Sequence, residues 1–284
     1  PDVSVFHLAN GLDYTVPARL IGKVQSGSLV SVKIAGKLVH GWVRDLREAE
    51  PTRQRLRPIS RVLSPHALVS ENSFTLTEQV ARRYAGNFSA VLHQAIPPRR
   101  ANIEKSFFES FSPDSSVTPA AKLGECSWEA GAADPLIASY PAGKGLLDSL
   151  AQAHASRVVW QSLPEADLPA PFSQISQLIS SSLSTSGSVL CLFPTSKLAK
   201  DFAAYWSEHA PDGAPSALEY HSELGANARY RTFLECRFNH PRLVIGTRSA
   251  IFAPLEKLSL LLIWDEAAET YQEKTAPYWH TRQV

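Results

Sequence analysis

The chain has 284 residues, 44% hydrophobic and 19% charged, which excludes a disordered or fibrous protein and supplies ample apolar surface for a core. At about 100–200 residues per domain the length favours two domains, and no apolar run approaches the roughly 18 residues of a membrane helix. The formal net charge of +1 hides an asymmetry, since residues 1–100 carry 14 Lys+Arg against 7 Asp+Glu and the remaining 184 carry 14 against 20. A basic front on an acidic remainder points to a polyanion, most often nucleic acid, as partner of the first third; a chance asymmetry is the plainer reading.

Pro1 to Asn10 lacks the basic start and long apolar stretch of a signal peptide, so the expected location is the cytoplasm. There is no methionine, and the sequence reads as an excerpt of a longer chain or an edited one. Cys126, Cys191 and Cys236 form no CxxC pair, and the nine histidines show no HxxxH or HExxH spacing, so neither a disulfide framework nor a zinc site is expected.

In chain order, residues 1–65 read as β structure. Val30, Val32 and Ile34 alternate with polar or small neighbours, Gly36-Lys37 turns the chain, and Leu38 to Val43 returns as a hairpin strand. An arginine-rich stretch follows, with Arg44, Arg47, Arg53, Arg55, Arg57 and Arg61. Thr75-Leu76-Thr77-Glu78 has the pattern of a capping box at a helix start, Gly86 suits a left-handed helix end, and Asn87 suits the cap of a second helix that Pro97-Pro98 stops. Residues 101–135, rich in Ser, Pro, Ala and Gly, read as a linker whose Phe107, Phe108 and Phe111 are free to dock. From Leu136 strands and helices alternate. Val158 to Trp160, Ser188 to Phe193, Ala217 to Tyr220, Arg242 to Gly246 and Leu258 to Trp264 are the expected strands. A stripe of Leu168, Phe172, Ile175, Ile179 and Leu183, the stretch after Thr195, and Asn227 to Arg237 are the expected helices. Such alternation argues for a parallel sheet with helices on both faces.

Two segments carry chemistry. Leu261-Leu262-Ile263-Trp264-Asp265-Glu266 puts two carboxylates at the carboxyl end of a buried strand, where nucleotide-hydrolysing sheets hold Mg²⁺ and water. Gly246-Thr247-Arg248-Ser249-Ala250 puts a cation and two hydroxyls after another strand. Together with His221-Ser222, Arg229 and Ala276 to His280, these resemble the first motor lobe of the primosomal protein N′ (PriA) replication-restart family. Leu12-Asp13-Tyr14 resembles that family's FDY motif, Val30 to Gly41 its barrel hairpin, and Arg83 to Gly86 with Ile96 to Arg99 the end of its DNA-binding domain.

The resemblance implies a small β-barrel domain with short helices (1–100) that binds a DNA 3′ end, a linker (101–135), and a RecA-like helicase lobe (136–284). It gives Asp13 a hydrogen bond to the terminal ribose or base and Tyr14 a supporting or stacking role. Gly36 would allow close backbone approach, Arg57 would contact base or phosphate, and Leu12 stands where the motif has Phe. The expected partners are branched DNA with a 3′ end, single-stranded-DNA-binding protein and primosome or helicase-loading proteins, with no membrane. The family's phosphate loop follows the first strand, but Gln161 to Leu168 holds no glycine and aligns Asp167 with the family's lysine. Asp265-Glu266-Ala267-Ala268 also lacks the family's third acidic residue and its histidine. The resemblance is therefore to the helicase-deficient actinobacterial type, which lacks the winged-helix insert. No ATP or other cofactor is expected in this segment, and the zinc module belongs to a C-terminal part of full-length relatives.

Competing readings stand beside these. Asp13 could shape a turn after Asn10-Gly11, Tyr14 could be core, and the arginines could be a solvated face. Asp265 and Glu266 could cap or hold a loop, Arg248 could pair with them, and Trp264 could be packing. For the whole chain the alternatives are an active ATP-dependent 3′→5′ helicase and a single-stranded nucleic-acid binder indifferent to ends.

Overall fold

The computed structural model describes residues 11–48, 56–110, 137, 140–152, 154–163, 170–183, 185 and 187–284. Cys126, Phe111, Arg53, Arg55, Asp167 and Leu168 lie outside these. The chain forms two compact units, one of Pro1–Pro97 with Gln272–Val284 and one of Pro98–Tyr271.

The first unit holds strands β1 (Leu29–Ile34), β2 (Lys37–Trp42) and β3 (Arg61–Ser64) in an antiparallel sheet of order β2-β1-β3. Ala35 and Gly36 turn the hairpin with φ of 47° and 82°, the two-residue turn whose twist matches the strands it joins. Val24, Val30, Val32 and Ile59 form a small core against which Tyr14, Val16, Leu20, Ile34, Val43 and Val62 pack. A parallel bridge between Thr15 and Pro58 adds to the sheet. Among the described residues this is a three-stranded sheet with one added bridge, which is as far as the barrel expectation carries.

Helix α1 (Glu71–Arg83) starts a turn before the expected capping box. Ser70 is its N-cap, accepting from the Ser73 amide at 3.1 Å, while Thr77 lies inside the helix and donates to the Ser73 and Phe74 carbonyls. Its end is corrected as well: Ala85 takes the left-handed conformation (φ 48°), and the Gly86 amide donates to the Ala81 carbonyl. Helix α2 (Phe88–Ala95) has the expected cap, Asn87 accepting from the Ser89 amide at 2.8 Å. The tail belongs to this unit and not to the lobe, because it bonds to these helices. The Trp279 indole donates to Gln94 at 2.8 Å, Gln94 donates to Thr275 and to the Ala276 carbonyl, and the Tyr84 hydroxyl accepts from the His280 amide.

In the second unit, Ala101–Ser110 is helix α3 and not linker. Its buried side is Glu104 and Phe107, and it packs against α7 (Ala226–Phe238), where the Phe107 and Phe108 rings meet that of Phe238. Then come α4 (Gly143–Ala151), α5 (Phe172–Leu183), β4 (Ser188–Leu192), α6 (Ser196–His209), β5 (Ala217–Tyr220), β6 (Leu243–Gly246) and β7 (Leu258–Ile263). Thr195 caps α6 by accepting from the Leu198 amide. The four strands are parallel in the order β5-β6-β4-β7. Val189, Cys191, Phe193, Leu243, Ile245 and Leu262 join α4, α5 and α6 in one core. Leu190, Leu192 and Val244 point to the opposite face, where they are equally buried. Val158 to Trp160 is not a strand: Val159 is 96% exposed, and the segment is held by the Trp160 ring, 6.0 Å from that of Trp264. A β-branched run without a ladder partner gains nothing from extended pairing.

Candidate nucleic-acid interface

The Thr15 amide donates to the Arg57 carbonyl and the Ile59 amide to the Thr15 carbonyl, both at 3.0 Å. Those two bonds run residues 14–16 alongside residues 57–59, so Tyr14 lies beside Arg57 and Asp13 is the residue before it in the chain. Val16 and Ile59 pull this pair of segments onto the small core, which leaves Leu12, Asp13 and Arg57 exposed. Tyr14 is half-buried on the core. Burial raises its hydroxyl pKa, and the positive charge of Arg57 opposes the rise. Tyr14 therefore packs on the core with part of its surface left exposed.

Asp13 has a partner distant in sequence. Its Oδ1 accepts from Nη2 of Arg47 at 2.7 Å, across 34 residues of sequence. Gly36 stays apart: it sits at the hairpin tip, and a Cβ built there meets nothing within 4 Å. Its glycine is required by φ 82° of the turn, and no described hydrogen bond ties it to Leu12–Tyr14.

The arginines divide by task. Arg44 pairs with Glu78 at 2.7 Å and lies over the Phe74 and Phe88 rings, which gives it a packing role. Arg61 is exposed on β3. A half-buried aromatic ring beside a guanidinium can meet the base face and phosphate of a nucleotide, and an exposed carboxylate next in the chain can accept from its donors.

In the lobe, Tyr220, Gly246, Leu192 and Ile263 stand level across the sheet. The segments after them, His221, Thr247–Ala250 and Asp265–Glu266, leave their strands at the same end of the sheet. Gly246 is demanded by close approach, because a Cβ would lie 2.4 Å from the Tyr220 carbonyl oxygen and 2.5 Å from Cβ of Ala250. Arg248 opens a 3₁₀ turn (Arg248–Phe252) that buries Ala250, with Ser249 part-exposed, and donates to the Thr270 carbonyl at 3.1 Å. Asp265 is exposed at φ 50°, and its carbonyl accepts from the Ala268 amide. Trp264 packs against the core as expected. Sequence reasoning missed Tyr271, and it named His221 by resemblance without its partner. The buried Tyr271 hydroxyl lies 2.9 Å from the Leu192 carbonyl and 2.8 Å from that of Trp264, and buried His221 holds Nε2 3.0 Å from a Glu219 carboxylate oxygen.

In the described part of the segment where the resemblance puts the phosphate loop, the backbone is engaged by side chains of its own unit. The Leu163 amide already donates to the Tyr140 hydroxyl at 2.6 Å, and its carbonyl accepts from Gln174 at 3.0 Å. Asp167, aligned with the family's lysine, lies outside the described residues.

Residues 2–97 match the family model of the PriA 3′DNA-binding domain (3′BD). The chain is 33% identical over 288 residues to the probable replication restart protein PriA of Mycobacterium tuberculosis, covering 99% of this chain and 40% of that one. It is 30% identical over 287 residues to the Mycobacterium leprae protein of the same name, covering 99% and 41%. A shorter match, 36% over 64 residues, links 22% of the chain to 8% of the replication restart protein PriA of Bacillus subtilis. The chain thus spans about two fifths of the mycobacterial relatives' length. With a 3′BD at its front and likeness to PriA along nearly all of its length, the chain belongs to the PriA replication-restart family.

Proposed function

We propose that this chain is the fork-reading portion of a DNA-binding replication-restart protein. Its first unit takes the 3′ end of a nascent strand at a stalled, branched fork, and its lobe serves as a scaffold without ATP-driven unwinding. The observation that supports the reading is the Thr15–Arg57 pairing, which sets Tyr14 beside Arg57, with Asp13 next in the chain, inside the segment matched by the 3′BD. Asp13 accepts from the terminal ribose or base, Tyr14 backs the nucleotide, Leu12 offers an exposed apolar contact and Arg57 meets base or phosphate. The basic balance of residues 1–100 adds sequence-independent attraction. The scaffold half is supported by the engaged Leu163 amide and the glycine-free Gln161 to Leu168. Single-stranded-DNA-binding protein and loader proteins are the partners this role calls for.

The test is fork binding with the nascent strand ending in a 3′-hydroxyl or a 3′-phosphate, alongside ATP turnover. A carboxylate hydrogen bond of about 1.5–3 kcal/mol predicts a preference of roughly tenfold or more for the hydroxyl. Equal binding removes the end-reading site. ATP hydrolysis stimulated by forked DNA removes the scaffold half and leaves an active helicase.

A further inference from the structure

Arg47 belongs to the arginine-rich stretch that charge alone assigns to phosphate attraction, but the structure gives it a different partner. The segment carrying it is anchored from behind. The Gly27 amide donates to the Val43 carbonyl at 2.7 Å, Ser26 Oγ donates to the Arg44 carbonyl at 2.6 Å, and Arg44 is fixed to Glu78. Asp45 accepts from the Leu46 amide at 2.8 Å and shapes the next turn of chain. From there Arg47 Nη2 reaches Oδ1 of Asp13 at 2.7 Å. The two side chains are 68% and 65% exposed. An ion pair that open contributes about 0–1 kcal/mol to folding, so its place in the molecule is not explained by stability.

We propose that Arg47 is a specificity-determining residue of the DNA-end site, holding one oxygen of the Asp13 carboxylate so that the other is presented to the terminal 3′-hydroxyl. This deepens the end-binding reading above and rests on it. Among the described residues, Oδ2 of Asp13 accepts no hydrogen bond. An ionised carboxylate only accepts, so this oxygen suits a hydroxyl or amino donor and repels a phosphate. Freed of Arg47, the carboxylate would rotate about its side-chain bonds, and orienting it again would weaken binding to the hydroxyl end. Arg47 is in this way a positioning residue acting through Asp13, and Arg57 beside Tyr14 remains the cation for the nucleotide itself.

The test uses the whole chain and two forks that differ only in a 3′-hydroxyl or 3′-phosphate on the nascent strand. Binding is titrated over a salt series for wild type, Arg47→Ala, Asp13→Ala and the double variant; the exposure of both residues makes misfolding an unlooked-for outcome, checked by thermal unfolding. The expected result is a several-fold loss of hydroxyl preference in Arg47→Ala with the salt dependence of binding unchanged. In the Asp13→Ala background Arg47→Ala should then have no further effect. Arg47→Lys, which keeps the charge but loses the planar fork, should retain part of the preference. The proposal is overturned if Arg47→Ala weakens both forks equally, lowers the slope of log affinity on log salt by about one, and does so with or without Asp13. Indifference of the wild type to the two ends would instead remove the end-binding reading, and this inference with it, before any variant is compared.

Discussion

Gly86 and its neighbour Ala85 divide a task that the sequence assigns to glycine alone. Ala85 takes the left-handed backbone at the end of α1, with φ 48°. Gly86 is held to hydrogen at its α-carbon by packing, because a Cβ there would stand 2.5 Å from Cβ of Pro277. Gly86→Ala should therefore lower stability by about 1–3 kcal/mol, the scale of an overpacked site. A thermal-unfolding midpoint unchanged from wild type would contradict the clash. The same limit of local reading applies at Asp13. The LDY triplet and Arg57 were singled out by resemblance, but Arg47 was read only as one charge in a run. Nothing in a spacing of 34 residues tells which arginine a carboxylate meets.

Elements were legible where burial follows periodicity. The hairpin strands, β4 to β7 and the caps Asn87 and Thr195 follow from alternation, apolar runs and capping chemistry, while the hairpin turns at Ala35-Gly36, one residue before the expected Gly36-Lys37, because Lys37 already pairs with Ile34. Helix α3 was missed because its buried side includes a charge. Glu104 accepts from Arg99 at 2.8 and 3.0 Å and from the Tyr230 hydroxyl at 2.6 Å, so a core position reads as a surface one. Likewise the Thr75–Glu78 pattern marked the wrong turn, since Glu78 serves Arg44 and Arg82 instead of a helix start. Glu104→Ala would leave Arg99 partly buried without its carboxylate, a loss of about 3–5 kcal/mol readable by denaturant unfolding. A loss below about 1 kcal/mol would mean that the triad does not hold α3 to α7.

The same unit predicts an alkaline limit. Burial raises the pKa of the Cys191 and Cys236 thiols above 9.0 and of the Tyr220, Tyr230 and Tyr271 hydroxyls above 10.0. Each favours the protonated form in the folded state, so unfolding releases protons once pH passes the unfolded values. The contribution of these groups is complete below about pH 9 and is lost as pH rises above it. Unfolding free energy should be level from pH 7 to 8.5 and decline beyond. A lobe equally stable at pH 10.5 and pH 8 would contradict that burial.

At the scale of the whole chain, sequence order and structural grouping part company. The DNA-binding unit is completed by Gln272–Val284, whose Trp279 is buried and bonded to Gln94, although 174 residues of lobe lie between Pro97 and Gln272. Periodicity cannot locate such a return, because a lone tryptophan carries no address for the helix it will meet. The basic balance of residues 1–100 was legible, and the proposed polyanion contact falls on this unit. The central claim is that a DNA 3′ terminus sits against Leu12–Tyr14 and Arg57. It is tested most directly by photocrosslinking a fork whose nascent strand ends in a 4-thiothymine nucleotide and mapping the attached peptide. The account predicts attachment at Leu12–Tyr14 or Arg57, strongly reduced when the strand ends in a 3′-phosphate; attachment spread over the basic residues regardless of the end, or confined to the lobe, would contradict it.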